Sequence, residues 1–146
     1  MIRPATERDL PEVLSIERKS VTAPHWPEEE YRAMLGMEGV KRGFFVAEIA
    51  ERVAGFAVGR MVGEHGEIES VVVGRETQRK GVGRALCETV MEWASVEGAS
   101  AIELEVRVGS VGALALYKSL QFVETGRRKG YYREPLEDAI AMRRGL

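Results

Sequence analysis

The sequence has a single cysteine, Cys87, so no internal disulfide can form and no cysteine-cluster metal site can be built. Histidine is almost as scarce, and His25 and His65 lie forty residues apart, a spacing that fits no metal motif. Excess charge of either sign is missing too. Twenty-one Lys and Arg stand against 23 Asp and Glu, a net charge of −2, which excludes a global basic field for nucleic acid or membrane binding. No stretch approaches the roughly 18 apolar residues of a membrane span. The opening Met1-Ile2-Arg3-Pro4 does not read as a charged-then-apolar leader. The expectation is a cytoplasmic protein with no metal, no nucleic-acid partner and no membrane partner. Without repeats, low-complexity tracts or a proline-rich linker, residues 1–146 read as one domain, long enough to bury a real core.

Glycine is in surplus: 16 of 146 residues, against an average usage of roughly 7%. Its placement becomes legible once the elements are read. Ile2–Ala5 reads as a short edge strand, and Thr6 with Asp9 resembles a capping box ahead of a helix. That helix carries the stripe Leu10, Val13, Leu14 and Ile16–Glu17, and runs to about Lys19. Val21–Pro27 is a loop around His25 and Trp26, and Glu28–Leu35 is an acidic-started second helix. Phe44–Ile49 and Val53–Val62 are β-rich runs joined by a hairpin at Glu51-Arg52. Glu67–Val73 ends in the continuously apolar Val71-Val72-Val73, as in a strand buried on both faces.

A polar loop, Gly74–Lys80, leads into a helix from about Gly81 to Glu97, closed by Gly98. Ala101–Val108 alternates strictly: Ile102, Leu104, Val106 and Val108 on one face, Glu103, Glu105 and Arg107 on the other. A helix at Ser110–Ser119 and strands near Phe122–Arg127 and Ala139–Arg143 complete the chain. A strand–helix–strand crossover within a meander predicts an α/β fold with a mixed sheet, Glu67–Val73 and Ala101–Val108 being parallel.

Two of the glycines open the longest helix. In Gln78-Arg79-Lys80-Gly81-Val82-Gly83-Arg84, the glycines let an anion approach the backbone, and first-turn N–H groups lack intrahelical partners. Arg79, Lys80 and Arg84 add positive charge. This is the chemistry of a phosphate or pyrophosphate cradle; the bland reading is a glycine-started helix with solvated basic residues. It is not a Walker A loop, because Arg84-Ala85 follows Gly83, nor a dinucleotide fingerprint, because Leu86 stands where the third glycine belongs.

Gln78-x-x-Gly81-x-Gly83 is similar to the Arg/Gln-x-x-Gly-x-Gly/Ala signature of the GNAT N-acetyltransferase superfamily. The likeness covers most of the chain and is densest from Ile68 to Leu120. It resembles the branch that acetylates ribosomal-protein N-terminal alanine. Arg3-Pro4-Ala5-Thr6 with Asp9-Leu10, Pro24-His25-Trp26-Pro27, Leu104-Glu105-Val106-Arg107 and Ala115-Leu116-Tyr117-Lys118-Ser119-Leu120 carry the resemblance. It implies a mixed central sheet of about six to seven strands flanked by about four helices, with acetyl-CoA as cosubstrate. It also implies transfer to a primary amine, foremost a protein N-terminus, by a monomer or homodimer.

Site residues follow from the resemblance. Residues 78–84 would cradle the pyrophosphate, and main-chain groups of Val71, Val72 and Val73 would hold the pantetheine arm and the thioester carbonyl. Glu105 would be the general base; partial burial makes such a carboxylate a better base, whereas the bland reading is a solvated strand face shared with Glu103. Tyr117 would be the general acid for the departing thiolate, a phenol being close to a thiol in acidity, or else an ordinary core aromatic. Ser110 stands where the family usually has an asparagine that contacts the coenzyme, and Gln121 replaces the glycine of the common Leu-Gly-Phe ending. Cys87, among Gly83, Val90, Met91 and Ala94, reads as core and argues for direct transfer in a ternary complex.

On the acceptor side, Glu69 or Glu67 would attract a cationic amine. Tyr131 and Tyr132 would wall a peptide groove or simply pack, and His25-Trp26 would rim it or staple a loop. A small-molecule amine acetyltransferase (polyamine or aminoglycoside) and a non-catalytic acyl-CoA-binding module are the alternatives.

Overall fold

The computed structural model describes residues 1–36 and 39–146. Among these, seven strands and four α-helices follow one another as β1 (Ile2–Pro4), α1 (Leu10–Lys19), α2 (Glu28–Ala33), β2 (Arg42–Ile49), β3 (Arg52–Val62), β4 (His65–Val73), α3 (Val82–Val96), β5 (Ala101–Arg107), α4 (Val111–Ser119), β6 (Val123–Arg133) and β7 (Leu136–Gly145). The strands form one mixed sheet in the order β1-β2-β3-β4-β5-β7-β6, the architecture the sequence predicts.

Alternation along the strands decides which residues meet which helices. Phe44, Val46, Phe56, Val58 and Val72 pack under α1 and α2 with Leu10, Val13 and Tyr31. Ile68, Ile102, Leu104, Val106, Ile140 and Met142 face the opposite way, against Leu86, Cys87, Val90 and Ala94 of α3 and Tyr117 of α4. The β2–β4 part of the sheet is thus buried between two helical layers, while β6 is largely exposed.

The entry to α1 is fixed as the sequence suggests. The Thr6 N–H donates to Asp9 Oδ2 at 2.8 Å, and Arg3 clamps both oxygens of Asp9 at 2.8 Å while reaching Glu48 at 2.8 Å. Other boundaries differ from expectation for local reasons. α2 stops at Ala33 instead of Leu35, because Leu35 and Gly36 donate to the carbonyls three residues back and tighten the last turn. The β2–β3 turn is Ala50-Glu51, both with positive φ (51° and 64°), as a two-residue primed turn requires, so Arg52 already belongs to the strand. β6 and β7 run beyond Arg127 and before Ala139 into a long hairpin, whose exposed tip has no apolar alternation to announce it.

Candidate active site

β4 and β5 are parallel, but only His65↔Ala101, Gly66↔Ile102 and Glu67↔Glu103 are partners. Beyond that point β4 stays with β3 through Val73, while β5 stays with β7 through Arg107. The two strands diverge, and the β4 backbone groups facing β5 from Ile68 onward have no strand partner. A cleft of about 690 Å³ opens there. One lip carries Glu69, Ser70, Val71 and Val72, the other Leu104, Glu105, Val106 and Arg107. Ser110, Ala113 and Tyr117 close it from the α4 side, with the α1–α2 loop (Ser20, Thr22, Ala23, Pro24) and Tyr131–Glu134 across its mouth. Val73 and Gln78 line an adjoining space of about 250 Å³ that shares Ser20 with the cleft.

The β4–α3 connection is held by main-chain and hydroxyl contacts. Gly74 N–H and Thr77 Oγ1 both donate to Ala54 O, at 2.8 and 3.2 Å. Gln78 folds back, its Nε2 donating to Val73 O at 3.3 Å. Arg79 (φ 65°) and Gly81 (φ 80°) are left-handed, and this pair turns the chain into α3. The first intrahelical bond runs from Ala85 N–H to Gly81 O, so Val82, Gly83 and Arg84 present N–H groups without helical partners. Nothing lies within 4 Å of where a Gly81 side chain would begin. Val82 is buried and roots the helix, while Arg79 and Lys80 are exposed beside its pole. The Arg84 guanidinium departs from expectation: it turns along the helix to Ser119 Oγ (3.0 Å) and Glu88 (3.5 Å). Its share in an anion site is therefore its backbone N–H.

Glu105 and Glu103 do not share one environment. Glu103 is 46% exposed and pairs with Arg143 at 2.6 Å, as on a solvated face. Glu105 is 28% exposed, with Oε1 at 3.4 Å from Arg128 and Oε2 buried without a partner. Tyr117 is buried, edge-on to Phe122 with ring centres 5.8 Å apart. Burial, with Cys87 and Tyr132 nearby, drives its phenol well above the ordinary value, so it is protonated at neutral pH but a weaker acid than the match to a thiol anticipates. Cys87 is fully buried, and desolvation pushes its thiol up to about 12. Ser110 sits at the start of α4, its N–H donating to Arg107 O at 3.0 Å.

Two residues have structural roles that the sequence reading did not assign. Arg107, expected on the polar face of β5, is buried: its guanidinium lies 4.2 Å from the Tyr132 ring centre and donates to Pro135 O (2.8 Å) and Glu134 O (3.2 Å). It ties the β6–β7 hairpin to the cleft wall. Glu17 is fully buried in α1 and accepts from Tyr31 Oη (2.7 Å), Trp26 N–H (3.0 Å) and Arg18 (2.5 Å). It anchors the α1–α2 loop. Trp26 packs on Tyr31 with ring centres 5.5 Å apart, and His25 Nε2 meets Ser20 O at 2.6 Å, so the pair staples that loop, while His25 also lines a space that shares Ser20, Ala23, Pro24, Arg133 and Glu134 with the cleft. Glu67 likewise stands outside the cleft lining and pairs with Arg60 at 3.2 Å. Tyr131 and Tyr132 line it, set edge to face with centres 5.1 Å apart.

Residues 10–122 match the model of the acetyltransferase (GNAT) family. The [ribosomal protein bS18]-alanine N-acetyltransferase of Salmonella typhimurium is 32% identical over 136 residues, covering 92% of this chain and 89% of that protein. The N-alpha-acetyltransferase of Saccharolobus solfataricus is 32% identical over 161 residues, covering 99% and 92%. The crystal structure of the ribosomal-protein-S18-alanine N-acetyltransferase from Escherichia coli superposes with a TM-score of 0.86 at 30% identity, over 100% of this chain and 93% of that one. A family match across most of the chain and relatives matched over most of their length establish that it is an acyltransferase and belongs to the acetyltransferase (GNAT) family.

Proposed function

We propose that the chain transfers the acetyl group of acetyl-CoA to the N-terminal α-amine of a protein, such as a cytoplasmic ribosomal protein, by direct transfer in a ternary complex. One observation carries the reading: the β4–β5 gap brings a half-buried carboxylate (Glu105) and a buried phenol (Tyr117) to one cleft, next to a space lined by Val73 and Gln78 just ahead of α3. The names of the relatives support the choice of acceptor.

The residues fit the coenzyme. Free N–H groups of residues 82–84, the open left-handed Gly81, and exposed Arg79 and Lys80 suit a pyrophosphate. Gln78 steadies the end of β4 through the Val73 carbonyl. The main-chain groups that face the gap within Val71-Val72-Val73 suit an amide-bearing pantetheine arm and a thioester carbonyl, and Ser110 borders the same space. Acetyl-CoA supplies the activated acyl group when bound. An α-amine enters largely protonated, its ordinary pKa being roughly 8. Glu105 Oε2, lacking any partner, receives that proton and frees the nitrogen lone pair. Tyr117 holds its proton at neutral pH and passes it to the sulfur as the carbon–sulfur bond breaks, and the phenolate left behind takes the second proton that the nitrogen sheds on becoming an amide. Cys87, buried and protonated, offers no thiolate for an acyl-enzyme, which supports one-step transfer.

The test is incubation with acetyl-CoA, an alanine-started peptide panel and spermidine, read by mass. Acetyl added to peptide α-amines supports the proposal. Acetylated spermidine with unmodified peptides reverses the acceptor assignment, and no transfer to any amine refutes the reading.

A further inference from the structure

β4 pairs with β3 out of register at one point: Val58 faces Ser70, and Gly59 faces Ile68. Glu69 is the extra residue, and a bulge of this kind re-aims a side chain. Its carboxylate is only 9% exposed yet lines the cleft, on the lip opposite Glu105. Arg42 donates to Glu69 Oε1 at 3.1 Å, but Arg42 also lies 3.7 Å from Glu30. One guanidinium therefore serves two carboxylates, the nearby Arg60–Glu67 pair adds one charge of each sign, and the group keeps a net negative charge beside the cleft. Burying a carboxylate is costly unless a cation meets it.

We infer that Glu69 docks the acceptor in its ammonium form, with Glu69 and Glu105 on opposite lips sharing one –NH₃⁺ group. This rests on the acetyl-transfer reading above and names what that cleft recognises: a cationic primary amine, bound before its proton is lost. An ammonium has three N–H donors, so it can satisfy Glu69 with one and present another to Glu105. The β4–β5 ladder ends at the Glu67↔Glu103 pair, short of this level, which leaves room for the group between the lips. Desolvation raises the Glu69 carboxyl above its ordinary value, the state that a bound cation relieves. The division of labour follows: Glu69 contributes to acceptor binding, and Glu105 to the proton transfer.

Calorimetry on the CoA-saturated protein tests this without turnover. The probes are an alanine-started peptide and the same peptide with an acetylated N-terminus. Glu69→Gln keeps the shape and leaves Arg42 its Glu30 partner. The variant should bind the free-amine peptide about tenfold more weakly than the wild type, as expected for one charge-assisted hydrogen bond. The blocked peptide should bind both proteins equally, which a merely structural defect would not allow. Equal affinity of both proteins for the free-amine peptide, parallel losses for both peptides, or no binding by the wild type overturns the inference. A wild type that acetylates the peptide while Glu69→Gln binds normally sinks this inference alone. A wild type that docks the peptide by Glu69 but never acetylates it sinks the acetyl-transfer reading alone.

Discussion

Gly81→Ala separates coenzyme binding from folding. Gly81 sits at φ 80°, ψ 6°, directly before α3. A side chain there meets nothing within 4 Å, so the cost is conformational, not steric. A left-handed non-glycine residue costs roughly 1–2 kcal/mol, and the stiffer unfolded chain returns about 0.4–1 kcal/mol. The net loss is about 1 kcal/mol, or a fall in Tm of about 3 °C for a chain of this size. The empty space in front of Gly81 is where an anion would approach, and the new methyl occupies it while strain tilts the N–H groups of residues 82–84. CoA affinity should therefore fall at least about tenfold, far more than the stability loss explains. Gly55→Ala is the contrast: its Cβ would lie 2.8 Å from Val72 O and 3.2 Å from Val73 Cα, so the backbone must move. That change should cost about 3 kcal/mol or more. Thermal denaturation and calorimetry with CoA read the two quantities. Wild-type CoA affinity in Gly81→Ala would refute the assignment of the pyrophosphate to this pole.

Asp9, held down to about 2 by Arg3, is a stability switch at low pH. A depressed carboxyl contributes above its unfolded value near 3.8 and loses that contribution as pH falls through about 2. Asp9→Asn should thus be about 2 kcal/mol less stable than wild type at pH 7, with the gap closing between pH 4 and 2 in urea melts; a pH-independent gap contradicts it. Cys87→Ala should lower stability by about 1 kcal/mol and leave turnover unchanged, whereas lost activity or a mass-detected acetyl-Cys87 in the wild type would contradict direct transfer.

Local patterns carried much of the architecture. The alternation at Ala101–Val108 named the strand that bears Glu105, and the Gly81-x-Gly83 pattern marked the start of α3. Contacts between distant residues were not legible. Arg107 looks solvated from its alternation, but the β6–β7 hairpin folds over it, and no pattern within β5 encodes that partner. Glu17 left a signal: it stands seven residues after Leu10 and four after Val13, on the buried stripe, where a carboxylate must have buried donors. The three-pair contact between β4 and β5, and the bulge at Glu69, arise from sheet geometry and have no mark in residue order.

The central claim is that Glu105 and Tyr117 perform the proton transfers in the β4–β5 cleft. It is tested most directly by kcat for acetyl transfer to an alanine-started peptide in Glu105→Gln and Tyr117→Phe, with CoA affinity measured alongside. The expected result is a kcat loss of roughly 10²–10⁴-fold in each, with CoA affinity within about twofold of wild type. Wild-type kcat in both variants would contradict it.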